Sequence, residues 1–440
     1  MTSRLLFLLL LGTACQQKPQ AQKTAETAAD SRNTSTGKET TPALFDPADT
    51  RVVIAGVLTW QDPSLSPFSD RNRKDLELHK LLGSIGVSDS SNRVILDNKA
   101  TLNRMKNAVT RQMKACGTSS TFIFYYAGHG VKTSKGYFFC NYDMADAEFT
   151  WFRVDFLADL AAQHFKGKRI ILLADCCYSG SLLEAGKAIR EKTGKEVVVL
   201  SSATSSNIST GNWTYTQTLL DCLGGDPYAD HNSDGRISLE ELKTEIATAM
   251  RYREHQLNGA AFYGVDPTST TVSKVNGSRP ATAAGPFRPG DYANAYSAGK
   301  WKIARIKGVS DNGALCEFYD YADKSSATLP VEKLQRISEI TYNVGQKVKA
   351  DWKGTWYEAT IQKVENGFMY IHYDGYDGSD DEWLMYDRLK TGNEEKVQVE
   401  WGGDWYDGWL LGEKDGKFFI TYQGYPHTWD EWVEADRIRR

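Results

Sequence analysis

Apolar and β-branched residues gather into short runs that stop abruptly at polar, glycine-bearing turns. The two clearest are TFIFYYAGHG (121–130) and KRIILLADCCYSG (168–180). A continuous apolar run of this length predicts a strand buried on both faces, as in a parallel sheet. RVVIAGVLTW (51–60), NRVILD (92–97) and EVVVLSSA (196–203) read the same way. Between them the period changes. RKDLELHKLLGSIGV (73–87) sets Leu76, Leu78, Leu81, Leu82 and Ile85 at helical spacing, and ATLNRMKNAVTRQMKAC (100–116) puts Leu102, Met105, Ala108, Val109 and Met113 on one stripe. VDFLADLAAQHF (154–165) predicts a further helix, and GYFFCNYD (136–143) a hairpin. Alternating strands and helices imply an α/β domain over 49–274, a mostly parallel sheet with helices on both faces.

After a Pro/Gly/Ala-rich linker (275–287) the pattern becomes short alternating strands with glycine turns, and it repeats. KVKADWKGTWYEATI (347–361) matches KVQVEWGGDWYDGWL (396–410), and YIHYDGYDGSDDEWLMYDRLK (370–390) matches FITYQGYPHTWDEWVEADRIR (419–439). One gap-free offset relates Trp352/Trp401, Trp356/Trp405, Tyr373/Tyr422, Tyr376/Tyr425, Trp383/Trp432 and Arg388/Arg437, a strong repeat signal. An earlier copy keeps Trp301, Phe318, Tyr321 and Leu334 in register but has no counterpart of Trp383. Three small all-β barrels are expected, at 288–338, 340–391 and 394–440.

Candidate chemistry lies at the two strand ends. His129 stands between Gly128 and Gly130, and the second run ends in Cys176, Cys177, Ser179 and Gly180. In open α/β sheets, ligands bind at the C-terminal ends of the strands. Side chains alternate along a strand, so Asp175 and Cys177 share a face and Cys176 points the other way. AGHG followed by DCCYSG resembles the caspase/metacaspase superfamily of cysteine peptidases, over roughly residues 51–265. The resemblance implies Cys177 as nucleophile, His129 as general base and later acid, and an oxyanion hole from the N–H groups of Gly130 and Cys177. The flanking glycines would let a substrate backbone approach. Asp175 would favour Lys or Arg before the scissile bond, with Asp75 as a second acid of that pocket; for Asp75 a solvated helix position is the alternative. No third member of a triad is visible. The same residues also fit a catalytically silent relative acting through its barrels, or a redox-active cysteine pair. The basic stretch SLLEAGKAIREKTGKEV (181–197) fits either a processing loop or an ordinary surface helix.

In ADHNSDGRISLEEL (229–242), Asp230, Asn232, Asp234, Arg236, Ser238 and Glu241 fall on positions 1, 3, 5, 7, 9 and 12 of an EF-hand loop spanning 230–241, with Gly235 at position 6. Ca²⁺ is the implied ligand, and an Asx-rich turn capping a helix is the alternative. WYEA…YDGYD…DEW in the repeats resembles the Tudor/Agenet/chromo-barrel group, whose aromatic cages hold methylated cations. Trp356, Tyr373, Tyr376 and Trp383 match the cage region in one copy, and Trp405, Tyr422, Tyr425 and Trp432 in the next; each also suits the plain core of a very small domain.

MTSRLLFLLLLGTAC combines Arg4, the short apolar run Leu5–Leu11 and small residues before Cys15. It has signal-peptide proportions (1–15) and resembles a bacterial lipobox with Cys15 acylated, although Gly12 stands where Leu is usual. Plain secretion is the other reading. Residues 16–48, poor in large apolar groups, predict a tether. The chain is then exported and held to a membrane by lipid alone, at the outer membrane facing the periplasm or at the cell surface. Hydrophobic content of 41% and charge of 25% are those of a globular protein, and the seven cysteines show no framework spacing. The net charge of −4, with 20 Lys/Arg against 27 Asp/Glu over 288–440, disfavours nucleic acid and suits protein or peptide substrates and a basic or methylated peptide at the barrels.

Overall fold

The structure is a computed structural model. It describes residues 41–440 apart from 146, 208, 279–286, 321–322, 338–341, 379, 392–394, 415 and 426–428. The signal segment 1–15, Cys15 and tether residues 16–40 lie outside the described residues.

The α/β domain is built from β1 (Thr50–Gly56), α1 (Lys74–Ser84), β2 (Asn92–Leu96), α2 (Leu102–Lys114), β3 (Thr121–Ala127), β4 (Gly130–Thr133), β5 (Gly136–Phe139), β6 (Phe152–Arg153), α3 (Phe156–His164), β7 (Arg169–Asp175), α4 (Ser181–Thr193), β8 (Glu196–Ser201), α5 (Thr214–Leu223), β9 (Arg236–Ser238), α6 (Leu239–Glu254), β10 (Gly259–Tyr263) and β11 (Thr271–Lys274). The main sheet runs β10-β8-β7-β3-β1-β2; it is parallel except for β10, which pairs antiparallel to β8. Strand alternation divides the apolar runs between two cores. Phe122, Phe124 and Tyr126 with Ile170, Leu172, Ala174 and Cys176 face α2, α3 and α4. Ile123, Tyr125 and Ala127 with Ile171 and Leu173 face α1, α5 and α6. This caspase-like arrangement explains why the strands carry no polar face.

Each described repeat is a five-stranded antiparallel sheet in which the first strand pairs with the second and the last, giving a half-barrel. The long second strands, Lys300–Ser310, Thr355–Glu365 and Asp404–Lys414, all carry a register shift at the same repeat position. Such a bulge re-aims one side chain. Lys307 there turns to Asp226 and Tyr228 of the α/β domain, whereas Leu411 of the third module is buried in the core of the second. In the second and third modules Arg388 and Arg437 fasten the structure. Each donates to a carbonyl of the first strand (Asp351, Glu400) and pairs with a carboxylate, Glu382 or Glu431, that also accepts the Tyr373 or Tyr422 hydroxyl.

Two segment boundaries differ from expectation. Residues 41–48 are not tether: Leu44 is buried in the core, its N–H donates to the Thr271 carbonyl (2.7 Å), and Arg169 donates to the Ala43 carbonyl (2.9 Å). The linker also begins inside the fold, since Val275 and Asn276 donate to the Gly235 and Gly225 carbonyls and Val275 packs on the core. An apolar residue within a polar stretch, such as Leu44 or Val275, is what composition averages away.

Module 1 is joined to the α/β domain by a buried charge pair. Arg305 donates to Glu245 of α6 at 2.9 and 3.0 Å, with both side chains almost wholly enclosed, and His231 lies 2.7 Å from the same carboxylate. Burial alone would push the Glu245 carboxyl up; His231 and Arg305 together hold it below the ordinary carboxylate range. Removing one member of such a pair strands the other charge. Arg305→Met is therefore expected to cost about 3–5 kcal/mol in urea denaturation, with part recovered in the double variant Arg305→Met/Glu245→Gln. An Arg305→Met protein of unchanged stability would show that the pair contributes nothing.

Candidate active site

β3 and β7 are neighbouring parallel strands in register, Ala127 opposite Asp175. His129 and Cys177 each stand two residues beyond that last pair, so the fold brings them to adjacent strand ends. The Gly128 N–H donates to the Asp175 carbonyl at 3.4 Å. The two glycines are required by the protein's own backbone, not only by an incoming chain. A Cβ on Gly130 would lie 1.9 Å from the Cys177 carbonyl oxygen, and one on Gly128, at φ 149°, would lie 2.7 Å from the Val57 carbonyl oxygen. Cys140 N–H donates to the His129 carbonyl, and Gly130 sits opposite Phe139. Antiparallel pairs alternate, so the Gly130 N–H points away from β5.

The His129 ring is held between Trp60 and Phe68, with centroids 4.4 and 4.5 Å away. Its Nε2 lies 2.8 Å from the Ser66 carbonyl oxygen. A carbonyl only accepts, so Nε2 is the donor in this contact, and in the neutral ring the lone pair lies on Nδ1. Ser66 thus occupies the place of the third group that the sequence did not reveal; a backbone carbonyl leaves no mark in residue identity.

Cys177 is partly buried, and its sulfur accepts the Ser209 N–H at 3.2 Å. Burial pushes the thiol pKa up, against the pull of the Ser209 and Cys177 N–H groups. A thiol in this state needs a base to ionise. Cys176 is enclosed in the core, and its pKa is driven far up by burial. Between β7 and α4 the chain turns through Tyr178, whose φ of 56° is unusual for a residue with a side chain. Its N–H is fixed on the Asn207 carbonyl (3.0 Å). The basic segment after it is helix α4, ended by a left-handed Gly194.

A narrow pocket at Cys177 is bounded by Asp175, Leu58 and Phe68 on one side and by the loop Ser209–Trp213 on the other. Asp175 is nearly enclosed and accepts the Thr216 hydroxyl (2.6 Å), which in turn meets the Tyr125 hydroxyl at 2.6 Å. Burial raises its pKa to about 7, opposed by hydrogen bonds from Thr216 and Ser202, and the charge of Glu254 pushes it the same way as burial. Asp75 is not the second open acid. It is fully buried, receives Arg73 at 2.7 and 3.1 Å and the Leu76 N–H at 2.7 Å, and is wedged against Gly56. Its charge is answered within the protein, because the start of α1 packs under the end of β1. Glu254, at the end of α6, is the acid that acts on Asp175, and nothing local in the sequence marks it.

In the 230–241 loop the oxygens serve the chain itself. Asp230 accepts the N–H groups of Asp234 and Gly235, Asn232 accepts that of Asp234, and Asp234 pairs with Arg236 at 2.9 Å. Ser238 and Glu241 form a capping box at the start of α6, and Glu241 also accepts the His231 and Asn232 N–H groups. β9 pairs with β11, placing Ile237 opposite Ser273. Among the described residues, no group of three or more His, Cys, Asp or Glu converges to hold a metal ion.

The aromatic pockets exist, but with a different membership. Trp352, Tyr357, Tyr373, Tyr376 and Asp380 line one in module 2. Trp401, Tyr406, Tyr422, Tyr425 and Trp429 line its counterpart in module 3. Trp356 and Trp405 precede the pocket tyrosines by one residue and so fall on the other strand face, beneath Lys390 and Arg439. Trp383 and Trp432 pack on Tyr370 and Phe419 instead. Tyr373, Tyr376, Tyr422 and Tyr425 thus line the pockets as expected, whereas the four tryptophans expected beside them lie elsewhere.

The fold of the α/β domain is caspase-like. Residues 70–270 match the family model described as "Caspase domain". No curated protein matches the chain. Among solved structures, a Geobacter sulfurreducens protein determined as a structural-genomics target is 14% identical, covering 52% of this chain and 100% of its own, with a TM-score of 0.38. The Drosophila initiator caspase Dronc is 10% identical, covering 59% and 94%, with a TM-score of 0.33.

The buried Asp175 carboxyl has a consequence for stability. Between pH 4 and about 7 the folded chain holds a proton that the unfolded chain has released, so this group's contribution falls as pH rises through that window. Asp175→Asn removes the penalty. The variant should match the parent near pH 4 and exceed it at pH 8 by up to about 4 kcal/mol in urea denaturation. A pH-independent difference would mean that Asp175 ionises normally.

Proposed function

We propose that the α/β domain is a cysteine endopeptidase that cleaves after Lys or Arg. The observation carrying this reading is that β3 and β7 end level, which sets Cys177 and a His129 turned to the Ser66 carbonyl at adjacent strand ends, Cys177 lining a pocket that also holds Asp175. His129 Nδ1 takes the thiol proton and the thiolate attacks the scissile carbonyl. The oxyanion is met by the N–H groups of Gly130 and Cys177. His129 then returns the proton to the leaving amine, and water, deprotonated by the same imidazole, releases the acyl group. Asp175, once ionised, attracts a cationic side chain in front of the scissile bond, with Glu254 reinforcing the field. At short range and reduced dielectric this discrimination reaches about 4 kcal/mol, or three decades in rate.

The barrels are proposed to dock substrate or partner through basic or methylated peptide groups, using the pockets of modules 2 and 3. Export and acylation of Cys15 rest on the sequence alone. Calcium at the 230–241 loop is a subsidiary proposal. The cation would take the Glu241 oxygens from their present N–H donors, and calorimetry is expected to show Ca²⁺ uptake that Glu241→Gln weakens. Absence of heat in the parent protein leaves a capped turn.

Kinetics on peptide pairs differing only in Arg or Asp before the cleaved bond test the main reading. Arg should be preferred by about three decades, activity on Arg should rise as pH passes about 7, and Asp175→Asn should lose most of it. Cys177→Ala should abolish cleavage and Cys176→Ala should spare it. No cleavage of either peptide by the parent protein favours the silent scaffold, and a preference for Asp overturns the pocket assignment.

A further inference from the structure

We infer that module 2 is a positioning element of the active site, acting through residues 254–257, where the chain leaves α6. The outer wall of the Cys177 pocket is Ser209–Trp213, the second half of the loop that joins β8 to α5. The loop reaches the site through the Ser209 N–H on the Cys177 sulfur, the Asn207 carbonyl on the Tyr178 N–H, and the Ser202 hydroxyl on the Cys176 N–H (3.1 Å). The loop has little core of its own, so its place is set by what holds it from behind.

That support comes from residues 254–257. Glu254 accepts the Asn212 side-chain amide (2.9 Å) and the Thr214 hydroxyl. Gln256, itself buried, accepts the Thr210 N–H at 3.0 Å and donates to the Ser202 carbonyl and the Ser209 hydroxyl. The Leu257 carbonyl accepts the Asn207 amide at 3.3 Å. Every few residues of the loop therefore have a fixed polar anchor on this one segment.

The intervening side chains face the other way. The helix ends in a left-handed His255, φ 50°. His255 Nδ1 meets Asp387 of module 2 at 2.8 Å. The Leu257 side chain is buried in a small cluster with Phe368 and Met385 of module 2, flanked by Trp383 and Tyr386. One turn earlier, Arg251 lies so close to Gly367 that a Cβ there would fall 1.8 Å from its guanidinium. Residues 254 and 256 thus hold the loop while 255 and 257 are held by module 2. Without that apolar seat, Leu257 faces water and the left-handed helix end loses its outer contact, releasing the anchors of the loop together.

The inference rests on the loop being a wall of the proposed active site, but its test needs no peptidase activity. In the full-length protein, hydrogen exchange of amides 204–213 and the rate of Cys177 alkylation by iodoacetamide are measured for Phe368→Ala, Met385→Ala, Met385→Leu and Trp356→Ala. Both Ala variants in the seat should speed loop exchange at least about tenfold and change Cys177 alkylation by a similar factor, with Cys176 unaffected. Met385→Leu should restore the parent values, and Trp356→Ala, outside that seat and beneath Lys390, should leave them unchanged. Loop exchange that stays at the parent rate while module 2 amides open would overturn the inference, as would equal effects of Trp356→Ala. A protein that cleaves no peptide yet shows the loop response would refute the proposed activity and keep the coupling.

Discussion

The hydrogen-bonded pairing of β3 with β7 is the constraint on which the site depends. Two parallel strands in fixed register end level with one another, and the chain must leave both ends through tight, glycine-assisted turns. A shift of one residue would turn Asp175 into the core and Cys176 into the cleft, because neighbouring side chains face opposite sides of the sheet. The register is in turn secured by two apolar layers that alternate from Phe122 to Ala127 and from Ile170 to Ala174. Core packing and the geometry of the candidate site are therefore a single specification.

Much of this was legible in the amino-acid pattern. The five parallel strands of the main sheet, helices α1, α2 and α3 and the barrel repeat follow from periodicity, because their environments are strongly one-sided or wholly apolar. Helix α5 was missed for a physical reason: all of its residues except Asp221 are buried, so it presents no polar face to set a period. At the site, Cys177 and His129 stand in short local motifs. The Ser66 carbonyl and the Ser209 N–H are backbone groups, and Glu254 arrives from a distant helix, so no motif contains them. Asp75 shows the reverse failure. Its charge is visible in the sequence, but the neutralising contact of Arg73 is visible only in the fold.

The repeats illustrate how far homology of pattern fixes function. One bulge recurs at the same position in each barrel, yet the side chains beyond it meet different partners, a charged surface in one module and an apolar core in another. The pockets diverge similarly. Asp380 in module 2 and Trp429 in module 3 share one repeat position but bring a carboxylate and an indole to otherwise matching aromatic walls. A repeat alignment identifies the shared scaffold, whereas strand parity decides which aromatic rings look inward.

The buried contact between Arg305 and Glu245 has a consequence for how such a chain can change over evolutionary time. A Pro/Gly/Ala-rich joint looks like a place where genes are freely cut and rejoined. Here, exchange at that joint would separate an arginine from its only enclosed carboxylate partners among the described residues and leave Leu257 bare. Recombinants would inherit a stranded charge and an apolar scar. The barrels and the α/β domain are thus expected to travel as one heritable unit, and new specificity to arise by substitution within the pockets and not by shuffling of whole modules.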